Sequence, residues 1–211
     1  MADRVETPDA GQSLALARAG DADAFCRLTE PLQSRLLRQA AALSGDLSTA
    51  EDLVSETLVE AWNSLARYAE SCRFSTWLYA ILLHRHQKWR RRARSRPVPL
   101  AWMPYFERAN LLERQENVPA PDPSPAEDAA RNETTACLRE CIARLPEKYR
   151  QILLLRFFED ASLPDMARVL GCPLGTVKSR LFNARCQLRD KLKRRLPAEV
   201  FSDWGLDEAA A

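Results

Sequence analysis

The chain has 211 residues, 46% of them apolar and 28% charged, with a formal net charge of +2. That length suits one or two compact domains with a real core, and no apolar run approaches the roughly 20 residues a bilayer span needs. The opening stretch MADRVETPDAGQ lacks the basic start and apolar centre of a signal peptide, so the expected compartment is the cytoplasm, without membrane insertion.

Strand signals are almost absent and helical periodicity is nearly continuous, which predicts an all-α fold. Residues 12 to 44 alternate apolar and polar at helical spacing, with interruptions expected near Gly20 and at Pro31. Leu53, Leu58, Ala61, Trp62 and Leu65 outline an amphipathic helix. Phe74, Trp77, Leu78, Ile81 and Leu82 outline another, which runs into a basic tract. These elements form a first helical domain over residues 12–95. A linker over 96–132 follows, carrying more than half of the chain's 13 prolines, and its run PAPDPSP is not expected to hold a helix. Within it, a short helix is expected at Tyr105 to Gln115, and the apolar cluster Leu100, Trp102, Met103, Tyr105 and Phe106 is expected to dock on another surface.

A second small helical domain spans 133–195, with a tail over 196–211. Its first helix carries Leu138, Ile142 and Leu145 and stops before Pro146; the next carries Ile152, Leu153, Leu155 and Phe158. Ser162, with Asp165 three residues on, starts a short helix in the manner of a capping box, tolerating Pro164 in the first turn. Gly171 is placed to cap that helix and Pro173 to open the next. Helix, tight glycine turn, helix is helix-turn-helix spacing.

The last helix bears Val177, Leu181, Ala184 and Leu188 on one face, the core side. The opposite face carries Lys178, Ser179, Phe182 and Asn183. A solvated face does not normally display phenylalanine; a major-groove reader does, because the ring meets thymine methyls while Lys178, Ser179 and Asn183 reach base edges. Thr176, Arg180 and Arg185 are placed to hold phosphates and set register.

Charge is unevenly distributed. DLSTAEDLVSETLVE, from Asp46 to Glu60, holds five acids and no base, whereas HRHQKWRRRARSR, from His84 to Arg96, holds seven Lys or Arg and no acid. The pattern suggests partners of opposite charge: a basic protein surface for Glu51, Asp52, Glu56 and Glu60, and nucleic acid for the tract. With Trp77, Tyr79 and Trp89 beside it, the tract has the cations and aromatic platforms that a single strand or opened duplex requires.

The six cysteines, Cys26, Cys72, Cys137, Cys141, Cys172 and Cys186, sit at apolar positions of helical patterns without CxxC spacing and read as structural filler. His84 and His86 splay to different helix faces, so they and Cys72 make no convincing metal set. No phosphate loop, GxSxG or HExxH is present, and neither an enzyme nor a cofactor is expected.

The segments AEDLVSETLVEAW (50–62), RFSTWLYAILLHRH (73–86) and LPEKYRQILLLRFFEDASLPDMARVLGCPLGTVKSRLFNAR (145–185) resemble bacterial sigma factors of the extracytoplasmic-function group, in the sigma-70 superfamily. The resemblance implies an initiation factor that gives core RNA polymerase its promoter specificity. It places Glu51, Asp52, Ser55 and Glu56 against the clamp helices of the β′ subunit, with Ser55 where the group usually has Gln. It assigns minus-ten recognition and melting to Ser71, Cys72, Arg73, Trp77, His84, Arg85, Lys88, Arg91 and Arg92; His84 replaces a common Asn and Lys88 a frequent Asp. The second domain would read the minus-thirty-five element and touch the polymerase β flap. An anti-sigma factor is a further partner the resemblance allows. The rival readings are a response-regulator-like helix-turn-helix factor with a helical sensor domain and, more distantly, a helical adaptor or metal sensor.

Overall fold

The computed structural model describes residues 10–93 and 125–195, and no strand occurs among them. The expected helix at Tyr105 to Gln115, the apolar cluster Leu100 to Phe106 and the tail lie outside the described residues. Helices α1 (Ala10–Arg18), α2 (Ala22–Ser44), α3 (Leu47–Ser64) and α4 (Phe74–Ala93) form the first group, with a 3-10 turn at Leu65–Arg67. The second group comprises α5 (Pro125–Ala143), α6 (Glu147–Leu153), α7 (Leu163–Leu170) and α8 (Leu174–Lys193). A π-helical turn, Leu154–Phe158, extends α6.

Local chemistry accounts for most of the boundaries. Gly20 takes φ 100°, a left-handed conformation suited to glycine, and ends α1. Asp21 then caps α2, its carboxylate accepting the Ala24 N–H at 3.0 Å. Asp46 caps α3 by accepting the Thr49 N–H at 2.8 Å, and that bond holds its carboxyl below the usual range. Pro31, expected to interrupt, lies inside α2. A proline removes one backbone donor, and the buried face running from Phe25 to Leu36 and Ala40 carries the helix across it. Pro125 is the first residue of α5, so this helix begins inside the stretch read as linker; a proline there deletes only an N–H that a first turn leaves orphaned.

In the first group, α2 packs on α1 and α3, and α3 on α4. Its core is built from Ala24, Leu36, Ala40, Leu53, Ala61, Leu78 and Leu82. In the second, α8 is the central helix, contacting α5, α6 and α7, and Val177, Ala184 and Leu188 are buried as the apolar spacing predicts, with Leu181 partly so. Helices α2 and α4 also touch the second group through α5, α6 and α7, so the two groups share a contact face.

One apolar assignment fails. Phe158 is 39% exposed and Phe157 57%, whereas Glu159 is 2% exposed. The cause is the π-helical turn, in which the Glu159 N–H reaches back to Leu154 O at 3.3 Å. The wider turn carries one more residue than a 3.6-residue repeat, so the inward face advances from the phenylalanines to the glutamate.

The cysteines are less uniform than expected. Cys141 is buried, but Cys26 is exposed, and Cys72 and Cys172 occupy the bends before α4 and α8. Burial raises the thiols of Cys72 and Cys141 above the ordinary value, which disfavours reactive thiolates there.

His86 is 1% exposed, with Nδ1 3.5 Å from the Glu147 carboxylate and its ring stacked on Trp89 at 5.8 Å. Burial, then the Arg90 and Arg150 guanidinium groups, push its pKa down to about 4. A histidine lowered in the folded state binds a proton more weakly there than in the unfolded chain. Stability is therefore whole above about pH 6.5 and falls as pH drops toward 4. The lowered carboxyls of Asp46 and Glu140 act at lower pH still. His86→Gln should remove this dependence: between pH 7 and 4.5, urea denaturation should show wild type losing about 2–3 kcal/mol more than the variant.

Candidate nucleic-acid interface

The helix-turn-helix is set by its turn. Ser162 Oγ accepts the Asp165 N–H at 3.2 Å to begin α7. Gly171, at φ 60°, ends it, and the Cys172 N–H returns to Ala167 O at 3.1 Å, a Schellman closure. Pro173 stands at the N-cap of α8, its carbonyl accepting the N–H groups of Thr176 and Val177.

On α8 the expected reading face is open. Lys178, Ser179, Phe182 and Asn183 are exposed, with Phe182 at 49%. Ser179 donates to Thr176 O at 3.1 Å and Asn183 to Ser179 O at 2.9 Å, so both side chains lie along their own helix. Thr176, Arg180 and Arg185 are half-buried. Arg180 folds toward the turn, 3.7 Å from Cys172 Sγ.

In the first group, Glu51, Asp52, Ser55 and Glu56 line one exposed face of α3. Val59 joins them at 60% exposure, four residues beyond Ser55 and seven beyond Asp52, hence on the same face. An apolar centre with an acidic rim is protein-interface anatomy. Its sequence signal was an apolar residue that does not join the buried stripe Ala50, Leu53, Val54, Thr57, Ala61.

Opposite charge is partly consumed inside this group. Arg85 on α4 pairs with Glu56 at 3.5 Å and also with Glu60. The acidic helix and the basic tract therefore meet each other at one point, rather than serving separate partners throughout. His84, Lys88, Arg91 and Arg92 are exposed. With half-buried Trp77 they follow one face of α4 at helical spacing. Two supposed platforms are structural instead. Tyr79 is fully buried, and Trp89 is half-buried, stacked on His86.

The loop before α4 is braced by aromatics. Tyr68 lies 4.9 Å from Trp77 and 5.6 Å from Phe74, centroid to centroid. Its hydroxyl donates to Cys72 O at 2.6 Å, and burial, then Cys72 and Glu70, push its pKa up to about 12. Arg18 of α1 pairs with Glu70 at 2.7 Å, and Glu70 takes φ 55°. Ser71 and Arg73 are exposed and Cys72 half-buried. Arg168 of α7 donates to Ser71 O at 3.0 Å and to Ser71 Oγ at 3.1 Å, and Arg73 lies 3.5 Å from Asp160. Among the described residues no group of three or more His, Cys, Asp or Glu is placed to hold a metal ion, and no helix is long and apolar enough to cross a membrane.

Comparison with known proteins matches residues 28–96 to sigma-70 region 2 and residues 135–188 to sigma-70 region 4. The RNA polymerase sigma-H factor of Pseudomonas aeruginosa is 34% identical over 170 residues, 79% of this chain and 84% of that protein. The ECF RNA polymerase sigma factor SigW of Bacillus subtilis is 25% identical over 176 residues, 83% of this chain and 92% of that protein. Among solved structures, the sigma factor RpoE in complex with the anti-sigma factor NepR from Bartonella quintana shares the fold. It gives a TM-score of 0.54 at 23% identity, covering 90% of this chain and 100% of that one. The region 2 match covers the first helical group, which the rival reading of a response-regulator-like factor leaves unexplained. The chain belongs to the extracytoplasmic-function sigma factors of the sigma-70 family, the initiation factors that direct RNA polymerase to promoters.

Proposed function

We propose that this sigma factor divides its work among three surfaces. The face of α3 formed by Glu51, Asp52, Ser55, Glu56 and Val59 docks on core polymerase, at the clamp helices of β′. The loop Ala66 to Arg73 and the exposed face of α4 read and melt the minus-ten element, with Ser71, Cys72, Arg73, Trp77, His84, Lys88, Arg91 and Arg92 toward the DNA. Arg85 belongs beside them, steering through its ion pair with the acidic helix. Helix α8 reads the minus-thirty-five element in the duplex, while the second group also meets the β flap. The chain contributes no catalytic group; it positions polymerase and works where transcription takes place.

The observation that carries this reading is Phe182 exposed at 49% among Lys178, Ser179 and Asn183 on the second helix of a closed helix-turn-helix. Base contacts specify sequence, whereas phosphate contacts position the protein. Melting needs an aromatic surface and a cation track for unstacked bases, and extruding one base costs a few kcal/mol. The exposed cations of α4 supply that track, and both DNA contacts should weaken steeply with salt as counterions are retained by the phosphates.

Two results follow. Asp52→Arg and Val59→Glu should each lower affinity for core polymerase by about tenfold or more, roughly 1.4 kcal/mol, because the first turns a rim attraction to a basic partner into repulsion and the second puts a charge into the apolar centre. Size-exclusion or fluorescence titration with core enzyme reads this, and wild-type affinity in both variants would remove α3 as the dock. Selection of bound duplexes from a random library tests α8. Lys178→Ala and Phe182→Ala should relax preference at one or two positions, by about 1–3 kcal/mol per lost contact. Arg180→Ala should weaken all sequences alike; unchanged preference in the first two variants would make α8 a non-reading helix.

A further inference from the structure

Two polar side chains on the outward face of α8 spend donors on their own helix. The Ser179 hydroxyl carries one hydrogen and gives it to Thr176 O at 3.1 Å, so in this arrangement its oxygen accepts only. Asn183 Nδ2 donates to Ser179 O at 2.9 Å. That bond turns the nitrogen end of the planar amide back along the helix and leaves Oδ1 at the other end, with one amide hydrogen unspent. Both residues are exposed. Val177, Ala184 and Leu188 form the buried stripe, and at about 3.6 residues per turn Ser179 stands opposite it, with Asn183 one turn further on.

We infer that Ser179 and Asn183 are acceptors that read exocyclic amino groups, N6 of adenine or N4 of cytosine, in the duplex that α8 enters. The inference rests on the reading of α8 proposed above. In the major groove those amino groups are the only base-edge donors. Guanine offers N7 and O6, and thymine O4 and a methyl group, so an outward oxygen set against either meets a lone pair or a carbon. Two acceptors brought together in a closed groove both give up water without a bond in return, and the wrong base is thereby rejected. Asn183 keeps one hydrogen for an N7 atom, which makes adenine its best partner.

The neighbouring residues supply the complementary chemistry. Lys178 has donors and no acceptor, which suits guanine, and the exposed ring of Phe182 suits a thymine methyl. Ser179 and Asn183 lie about 6 Å apart along α8, close to two base-pair steps of about 3.4 Å each, so they meet different base pairs. Neither side chain is charged, so neither releases counterions from the phosphates. Their whole contribution is to sequence preference, which a merely solvated helix face would not have.

The test uses holoenzyme assembled from the full chain and core polymerase, with duplex promoter fragments selected from a library randomised in the upstream element. Each adenine and cytosine of the selected element is replaced in turn by purine or 2-pyrimidinone, which lack the amino group; the same replacements at flanking positions control for weakened pairing. Two of these deletions, within about three base pairs of each other, should each lower affinity by about tenfold. One should lose its effect in Asn183→Ala and the other in Ser179→Ala, because a contact already removed cannot be lost again. Neither alanine variant should alter the salt dependence of binding; a shallower slope would make the residue a phosphate contact and overturn the inference. Asn183→Arg, which offers donors alone, should move the preference at its position to guanine. Amino deletions that are harmless, or equally harmful with and without the two side chains, would also overturn it. If Lys178→Ala and Phe182→Ala shift preference while the amino deletions do nothing, the acceptor readout falls and α8 remains the reader. If none of the four alanine variants shifts preference, the reading of α8 falls with it.

Discussion

A single widened helical turn governs how the two halves of this sigma factor meet. Had α6 continued at 3.6 residues per turn, Phe158 would face inward and Glu159 would be solvated. Through Leu154–Phe158 the repeat opens instead, the phenylalanines turn outward, and a carboxylate enters the seam between the helical groups. A carboxylate so placed is tolerable only with cations and donors opposite. Arg35 and Gln39 on α2 supply them. The turn therefore creates both an exposed aromatic pair and the demand for a matching polar surface on the other group.

The same logic of partial neutralisation orders the first group. Its acids and its bases are separated in sequence but adjacent in space, because α3 packs on α4. Arg85 spends its charge on Glu56 and Glu60, leaving Glu51 and Asp52 exposed at one end and Lys88, Arg91 and Arg92 exposed at the other. The domain thus presents two faces of opposite sign, with Arg85 and its two carboxylate partners between them. Beside them, the Tyr68–Phe74–Trp77 cluster ties the loop before α4 to that helix, the rigid support that the proposed minus-ten role would require.

Much of this was legible in the residues. The cap at Ser162, the left-handed Gly171 and the buried stripe of α8 follow from short-range rules, and the structure has all three. The outward Phe182 was readable because helical phase is reliable over a helix of regular pitch. Phase reasoning failed where pitch changes, at the π turn, since no residue in LLRFF announces it. The local rule for proline predicts an interruption at Pro31, but burial on both sides carries the helix through. Tyr79 and Trp89 looked like platforms, yet aromatic type says nothing of which way a side chain faces. The seam between the groups, with Arg150 on α2 and Arg168 on Ser71, joins residues about a hundred positions apart, which no periodicity within one helix can foresee. Val59 was visible as an apolar residue outside its stripe, but isolated exposed apolar residues are common, and only its acidic neighbours give it meaning.

The central claim is that this chain confers promoter choice on a polymerase that lacks it. Multiround run-off transcription with core enzyme on sheared genomic fragments of the host tests it directly. The account predicts discrete transcripts that appear only when the chain is added, each starting downstream of one recurring two-part sequence. Transcription indistinguishable from core enzyme alone, with no complex between the chain and core, would contradict it.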